Sequence, residues 1–233
     1  MTLKNKRALS YGLLLIAVVT AGYIFYRPKA VIVVDDSVEA SSKMSFFVTS
    51  KNPGNGGNLG GLKGADAYCK TLAESAGIHD KTWRAYLSAR GTNGGAHINA
   101  RDRIGKGPWY NYNGELIASS VEELHSPNNN INKKTALTEI GTIVPGRGDD
   151  INIHDILTGS NENGMYVATT TDTTCNNWTS SDKGSAYVGH HDRIGINESA
   201  PMKSWNSSHL TRGCSLPALK STGGGGLFYC FAE

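Results

Sequence analysis

The chain is poor in charge, poor in aromatic bulk and without the compact signatures of the commonest catalytic sites. Charged residues make up 18% of its 233 residues and aromatic residues 8%. Hydrophobic residues reach 39%, which excludes a disordered polyelectrolyte and leaves enough apolar side chains for a core. No Cys-x-x-Cys pair occurs, which argues against a zinc ribbon or a thioredoxin-type motif. No Gly-x-Ser-x-Gly occurs, so a nucleophilic serine finds no support. The glycine-rich stretch Asn52–Gly61 is not followed by Gly-Lys-Ser/Thr and reads as a turn rather than a phosphate cradle. Acidic residues are missing before residue 30, where Lys4, Lys6, Arg7, Arg27 and Lys29 stand alone. Of the 23 Lys and Arg, these five leave 18 against 20 Asp and Glu in the rest of the chain. The formal net charge of +3 therefore belongs to the N-terminal segment. Nothing beyond that segment indicates nucleic-acid binding.

Ala8 to Tyr26 is an uncharged apolar run of about 19 residues, the length that crosses a hydrocarbon core as a helix. The cations before it hold the N-terminus in the cytoplasm, and Tyr23, Phe25 and Tyr26 suit the far interface. Residues 1–29 read as a single-pass membrane anchor, residues 30–43 as a linker, and residues 44–233 as one domain exported to the periplasm or the cell exterior. A cleaved signal peptide and a buried core helix are the alternatives; the first usually has a shorter apolar region and a small-x-small cleavage site.

Four cysteines, Cys69, Cys175, Cys214 and Cys230, all follow the export segment and read as two disulfides with three possible connectivities. Ala65, Cys69, Leu72, Ala73 and Ala76 recur at helical spacing ahead of Gly77. Ser45–Thr49 and Trp83–Ser88 read as strands, and Ser120-Val121-Glu122-Glu123 matches a capping box. The stretch 126–164 reads as loop with short strands. Leu227–Phe231 suits a central strand, and the two ends of the domain are expected to pair.

The ordered set Gly64-Ala65-Asp66-x-x-Cys69, Arg84-Ala85-Tyr86-Leu87-Ser88, Pro108 and Asn111 before Gly114-Glu115-Leu116 resembles the start of endostatin. Thr158-Gly159-Ser160 before Asn163-Gly164, Cys175-x-x-Trp178, Cys214 and Leu227-x-x-Cys230 continue it to the C-terminus. Endostatin is a collagen C-terminal domain with a C-type lectin-like fold. The resemblance implies an α+β class with short helices, a small mixed or antiparallel sheet and long loops. It also implies nested disulfides, Cys69 to Cys230 and Cys175 to Cys214. Endostatin's N-terminal zinc histidines have no counterpart, since no histidine lies between residues 30 and 78. Its heparin-binding arginine cluster is not matched either. The calcium tripeptides of sugar-binding lectins are absent, and Trp205-Asn206-Ser207 matches two of three positions of the Trp-Asn-Asp element.

The residues best suited to chemistry are His154-Asp155, His190-His191-Asp192 and His209, with Asn206 and Trp205 near them in sequence. Imidazole and carboxylate are ligands that zinc takes, and the same groups serve as acid and base. The metal candidates among them are His190, His191 and Asp192; no cofactor is required by the sequence, although zinc or calcium is compatible with it. Trp205, Trp109 and Trp178 offer aromatic faces for a sugar, with core packing against a disulfide the plainer role for Trp178. Arg147-Gly148-Asp149 is an integrin-type tripeptide that three residues match by chance. The leading expectation is a membrane-tethered, lectin-like domain binding a glycan or another extracellular macromolecule without catalysis. A metal-assisted hydrolase built on the His/Asp cluster and a structural assembly module are the alternatives.

Overall fold

A computed structural model describes residues 43–233. The anchor expected at residues 8–26 and all but the last residue of the linker lie outside the described residues. Among the described residues no helix is long and apolar enough to cross a membrane.

The last strand organises the fold. Gly224–Ala232 (β8) alternates its side chains between two buried layers, as a strand with both faces covered must. Phe228 and Cys230 enter one core with Phe47, Leu72, Trp83 and Trp178. Leu227, Tyr229 and Phe231 enter the other with Phe46, Val48, Trp109 and Trp205. Each such side chain, once fully buried, contributes roughly 1.5–3 kcal/mol. Phe46–Val48 (β1) runs antiparallel along one edge of β8, Phe46 opposite Phe231. On the other edge Trp83–Ala85 (β2) pairs antiparallel with its C-terminal part, and Asp155–Leu157 (β5) pairs parallel with its N-terminal part. Tyr187–His190 (β6) and His209–Leu210 (β7) extend the sheet antiparallel from β5. A separate two-stranded ribbon joins Trp109–Tyr110 (β3) and Leu116–Ala118 (β4). The two ends of the domain therefore pair, as their apolar patterning predicts.

Gly61–Ser75 (α1) lays Ala65, Cys69, Leu72 and Ala73 on the first core. It stops where Gly77 turns left-handed, φ +89°, and its N–H bonds the Glu74 carbonyl. Asp66 on its other side accepts from the Ala85 N–H at 2.9 Å and from the Arg103 guanidinium at 2.7 and 2.8 Å, tying α1 to β2. Val121–Leu124 (α2) is capped by Ser120, which accepts from the Glu123 N–H. Leu216–Lys220 (α3) starts on Ser215 and a proline.

Both disulfides implied by the resemblance are present. Cys69–Cys230 joins α1 to β8, and Cys175–Cys214 spans the loop-rich second half. The chain is thus a mixed α+β domain with a small sheet, few helices and two bridges. Around Cys175 the backbone winds one left-handed turn, with positive φ at Cys175, Asn176, Asn177 and Trp178. Such a turn costs roughly 1–2 kcal/mol per residue. It is held by the bridge and by Asn177, which exchanges hydrogen bonds with the Arg90 N–H and carbonyl. Trp178 is fully buried, and its indole N–H donates to the Ser88 carbonyl.

Candidate metal centre

Three neighbouring strands bring the imidazoles together. Asp155 on β5 stands directly opposite His190 on β6. His209 on β7 pairs with Val188, two residues before His190 and so on the same face. His154 enters just ahead of β5. Where β5 meets β8 the register slips, Asp155 facing Gly224 and Ile156 facing Leu227. The bulge lets Gly223 and Gly224 pass close beneath His154 and Asp155: a β-carbon on either would stand 3.2 Å from those side chains.

Asp155 is the centre. Its Oδ1 lies 3.2 Å from His154 Nε2, 3.3 Å from His190 Nε2 and 3.5 Å from His209 Nε2. His190 Nε2 and His209 Nε2 are 3.1 Å apart. The carboxylate is 1% exposed, yet none of these approaches has the alignment of a hydrogen bond, and among the described residues both its oxygens lack a donor.

The far side of each ring explains why. His190 Nδ1 lies 2.8 Å from the Met202 carbonyl, and His209 Nδ1 lies 3.1 Å from the Leu210 carbonyl. A carbonyl only accepts, so each Nδ1 carries the proton. His154 Nδ1 faces the Asp192 carboxylate at 3.1 and 3.2 Å, which imposes the same tautomer. In their neutral forms all three rings then turn a bare Nε2 lone pair toward a carboxylate. Four electron-rich atoms crowded in a dry site repel one another unless positive charge stands among them.

Protons answer the same demand. Burial pushes the Asp155 carboxyl up, but the close imidazoles of His190, His209 and His154 outweigh it, and the group is held below its ordinary value. Asp155 in turn raises His209. Asp192 is pushed up by burial, yet His154 and the N–H groups of Arg147 and Ile194 hold it down at about 2.

A divalent transition metal fits. Tetrahedral zinc with bonds of about 2.0–2.1 Å separates its ligand atoms by about 3.3 Å. The Asp155–His190–His209 triangle has edges of 3.3, 3.5 and 3.1 Å, and the rings of His190 and His209 are inclined by 61°. His154 is also close enough to ligate, with Asp155 and His190. Its ring, however, stacks on that of His190 at 4.2 Å with only 9° between planes, so both lone pairs cannot aim at one ion without a turn of His154. We therefore take Asp155, His190 and His209 as the ligand trio and His154, braced by Asp192, as the adjacent group. Each of these imidazoles has its Nδ1 acceptor already in place, the outer-shell support that metal-bound histidines use.

The remaining candidate residues lie elsewhere. His191 follows His190 at the strand end and leaves the sheet in another direction. It is fully buried, its Nε2 is 3.5 Å from the Pro145 carbonyl, and burial lowers it to about 4. It is not part of the cluster. Asp192 supports His154 rather than joining the ligand trio. Trp205 is 3% exposed and packs against Tyr86 and Tyr229, at the wall of a separate cavity of about 650 Å³ that it shares with His125, Arg193 and Asn206. Asn206 is 1% exposed and spends its amide N–H groups on the Tyr86 hydroxyl and the Asn161 and Glu162 carbonyls. Trp109 is buried and donates to the Ala232 carbonyl. His209 is the ligand that motif spacing undervalues, because only the pairing of β6 with β7 brings it to His190.

No known family pattern matches this chain, and no curated protein matches it.

Proposed function

We propose that the chain is an exported, disulfide-stapled domain that holds a divalent transition metal, zinc foremost, on Asp155, His190 and His209, and recognises its ligand at that metal. The observation that carries the reading is the buried Asp155 carboxylate, without a hydrogen-bond donor and faced by three imidazole nitrogens whose tautomers are set from behind. Zinc supplies a Lewis-acidic centre with room for a further ligand, and the chain's own residues orient and desolvate it. His209 is the exposed side of the trio, at 29% side-chain exposure, whereas His190 and Asp155 are sealed. Recognition is thus directed through the metal rather than through Trp205.

The same proposal includes the C-type lectin-like, endostatin-like fold, supported by the paired chain ends and the nested bridges, and tethering of the domain by residues 8–26. Metal-assisted hydrolysis is the second reading. His154 favours it: an imidazole beside the trio, 3.2 Å from Asp155 Oδ1 and backed by Asp192, is placed to move a proton.

The test is zinc titration of the full-length chain in detergent. One zinc per chain is expected, with binding lost in His190→Ala and Asp155→Asn and kept in His191→Phe. No zinc uptake, or uptake unaffected by His190→Ala, overturns the proposal.

A further inference from the structure

The exposed side of the cluster opens into a cavity of about 300 Å³ whose walls include Arg147, His209, Arg212, Ile196 and Met202. Among the described residues no Asp or Glu lines it. Arg147 sits in the loop ahead of β5, and Arg212 two residues beyond β7, so two unrelated segments bring an arginine to one opening. Among the described residues neither forms an ion pair. Arg84 and Arg103, by contrast, are neutralised by Asp66 and Glu233. The backbone N–H of Arg147 binds Asp192 and leaves its side chain uncommitted.

We infer that this cavity is a binding site for a phosphate-type oxyanion, one oxygen facing the metal and the others held by Arg147 and Arg212. The inference rests on the metal reading above and names the ligand class for the same site. A divalent ion with a single carboxylate keeps a net positive charge, and two unpaired guanidiniums add to it. A planar guanidinium matches phosphate oxygens in pairs, so the site offers both charge and geometry. The cavity admits inorganic phosphate or the terminal phosphate of an ester, and sulfate shares the same chemistry.

The experiment titrates inorganic phosphate, sulfate and acetate, in parallel, into full-length chain loaded with one zinc and freed of excess metal. Phosphate is expected to bind the loaded chain and to bind the chelator-treated chain at least tenfold more weakly. Arg147→Ala with Arg212→Ala is expected to weaken phosphate at least tenfold while one zinc per chain is retained. Sulfate binding at equal strength assigns the site to tetrahedral oxyanions in general and supports the inference. Acetate binding as tightly as phosphate overturns it in favour of a carboxylate. Zinc uptake without phosphate binding, or phosphate binding indifferent to the two arginines, overturns it and leaves the metal reading standing. Failure to take up zinc overturns both.

Discussion

At the scale of single residues, buried polar groups determine one another's proton positions. His125 Nδ1 faces the Val121 carbonyl at 2.7 Å, so its Nε2 accepts from the Tyr86 hydroxyl at 2.8 Å, which in turn accepts from Asn206. Burial lowers His125 below its ordinary 6.5 and raises Tyr86 well above its ordinary range. Folding therefore keeps His125 neutral where the unfolded chain is protonated. The stability this contributes is complete above pH 6.5 and is lost as pH falls toward the folded value. His209 has the opposite sign: its folded value is raised, so its contribution is full below 6.5 and is lost as pH rises through the raised folded value. Urea unfolding of metal-free wild type and His125→Gln separates the two. The stability difference between them should be constant above pH 6.5 and shrink below it; a difference that does not change with pH contradicts the assignment. Part of this layer is legible in sequence. His154, Asp155, His190 and His209 stand out as chemistry-bearing residues in a stretch rich in Asn, Gly and Thr. Arg212 carries no local signal, because its value comes from a cavity that only the fold creates.

At the scale of elements, the strands that carry the cluster are short and depend on close approach. Gly189 in β6 lies between Val188 and His190, and a β-carbon there would stand 1.8 Å from the Trp205 carbonyl oxygen. Backbone cannot yield as a side-chain tip does. Gly189→Ala should cost about 3 kcal/mol or more in urea unfolding and weaken zinc binding by moving His190; a change below about 1 kcal/mol contradicts the close packing. A second element-level prediction concerns α1. Asp66→Ala removes the acceptor of both Arg103 and the Ala85 N–H, with the two side chains 15% and 13% exposed. Partial exposure moderates the loss to about 2–3 kcal/mol. Replacing Arg103 as well should cost little more, a double-mutant cycle that fails if the losses simply add. The helix is readable because its apolar residues recur at 3.6, and the terminal strands because each is a short unbroken apolar run. The pairing of β5 with β6 and β7 is not, since register across distant strands leaves no periodic trace. That is why His191 and Asp192 look equivalent to His190 in sequence and part from it in the fold.

At the scale of the molecule, two covalent links close loops of very different length. Cys69–Cys230 spans 161 residues and Cys175–Cys214 spans 39. On the chain-entropy model the first contributes about 5 kcal/mol and the second about 4. Cys69→Ala with Cys230→Ala should therefore lower the unfolding free energy by more than Cys175→Ala with Cys214→Ala; the reverse order would show that the strained left-handed turn at Cys175 depends on its bridge beyond entropy. The number of bridges was legible from the cysteines alone, and their pairing from the resemblance to endostatin. The central claim is a metal held by one carboxylate and two imidazoles inside this stapled frame. X-ray absorption at the zinc edge of the loaded, full-length chain tests it most directly. The account predicts a shell of nitrogen and oxygen at about 2.0–2.1 Å with the outer scattering of imidazole. A sulfur shell near 2.3 Å, or a shell without imidazole, would contradict it.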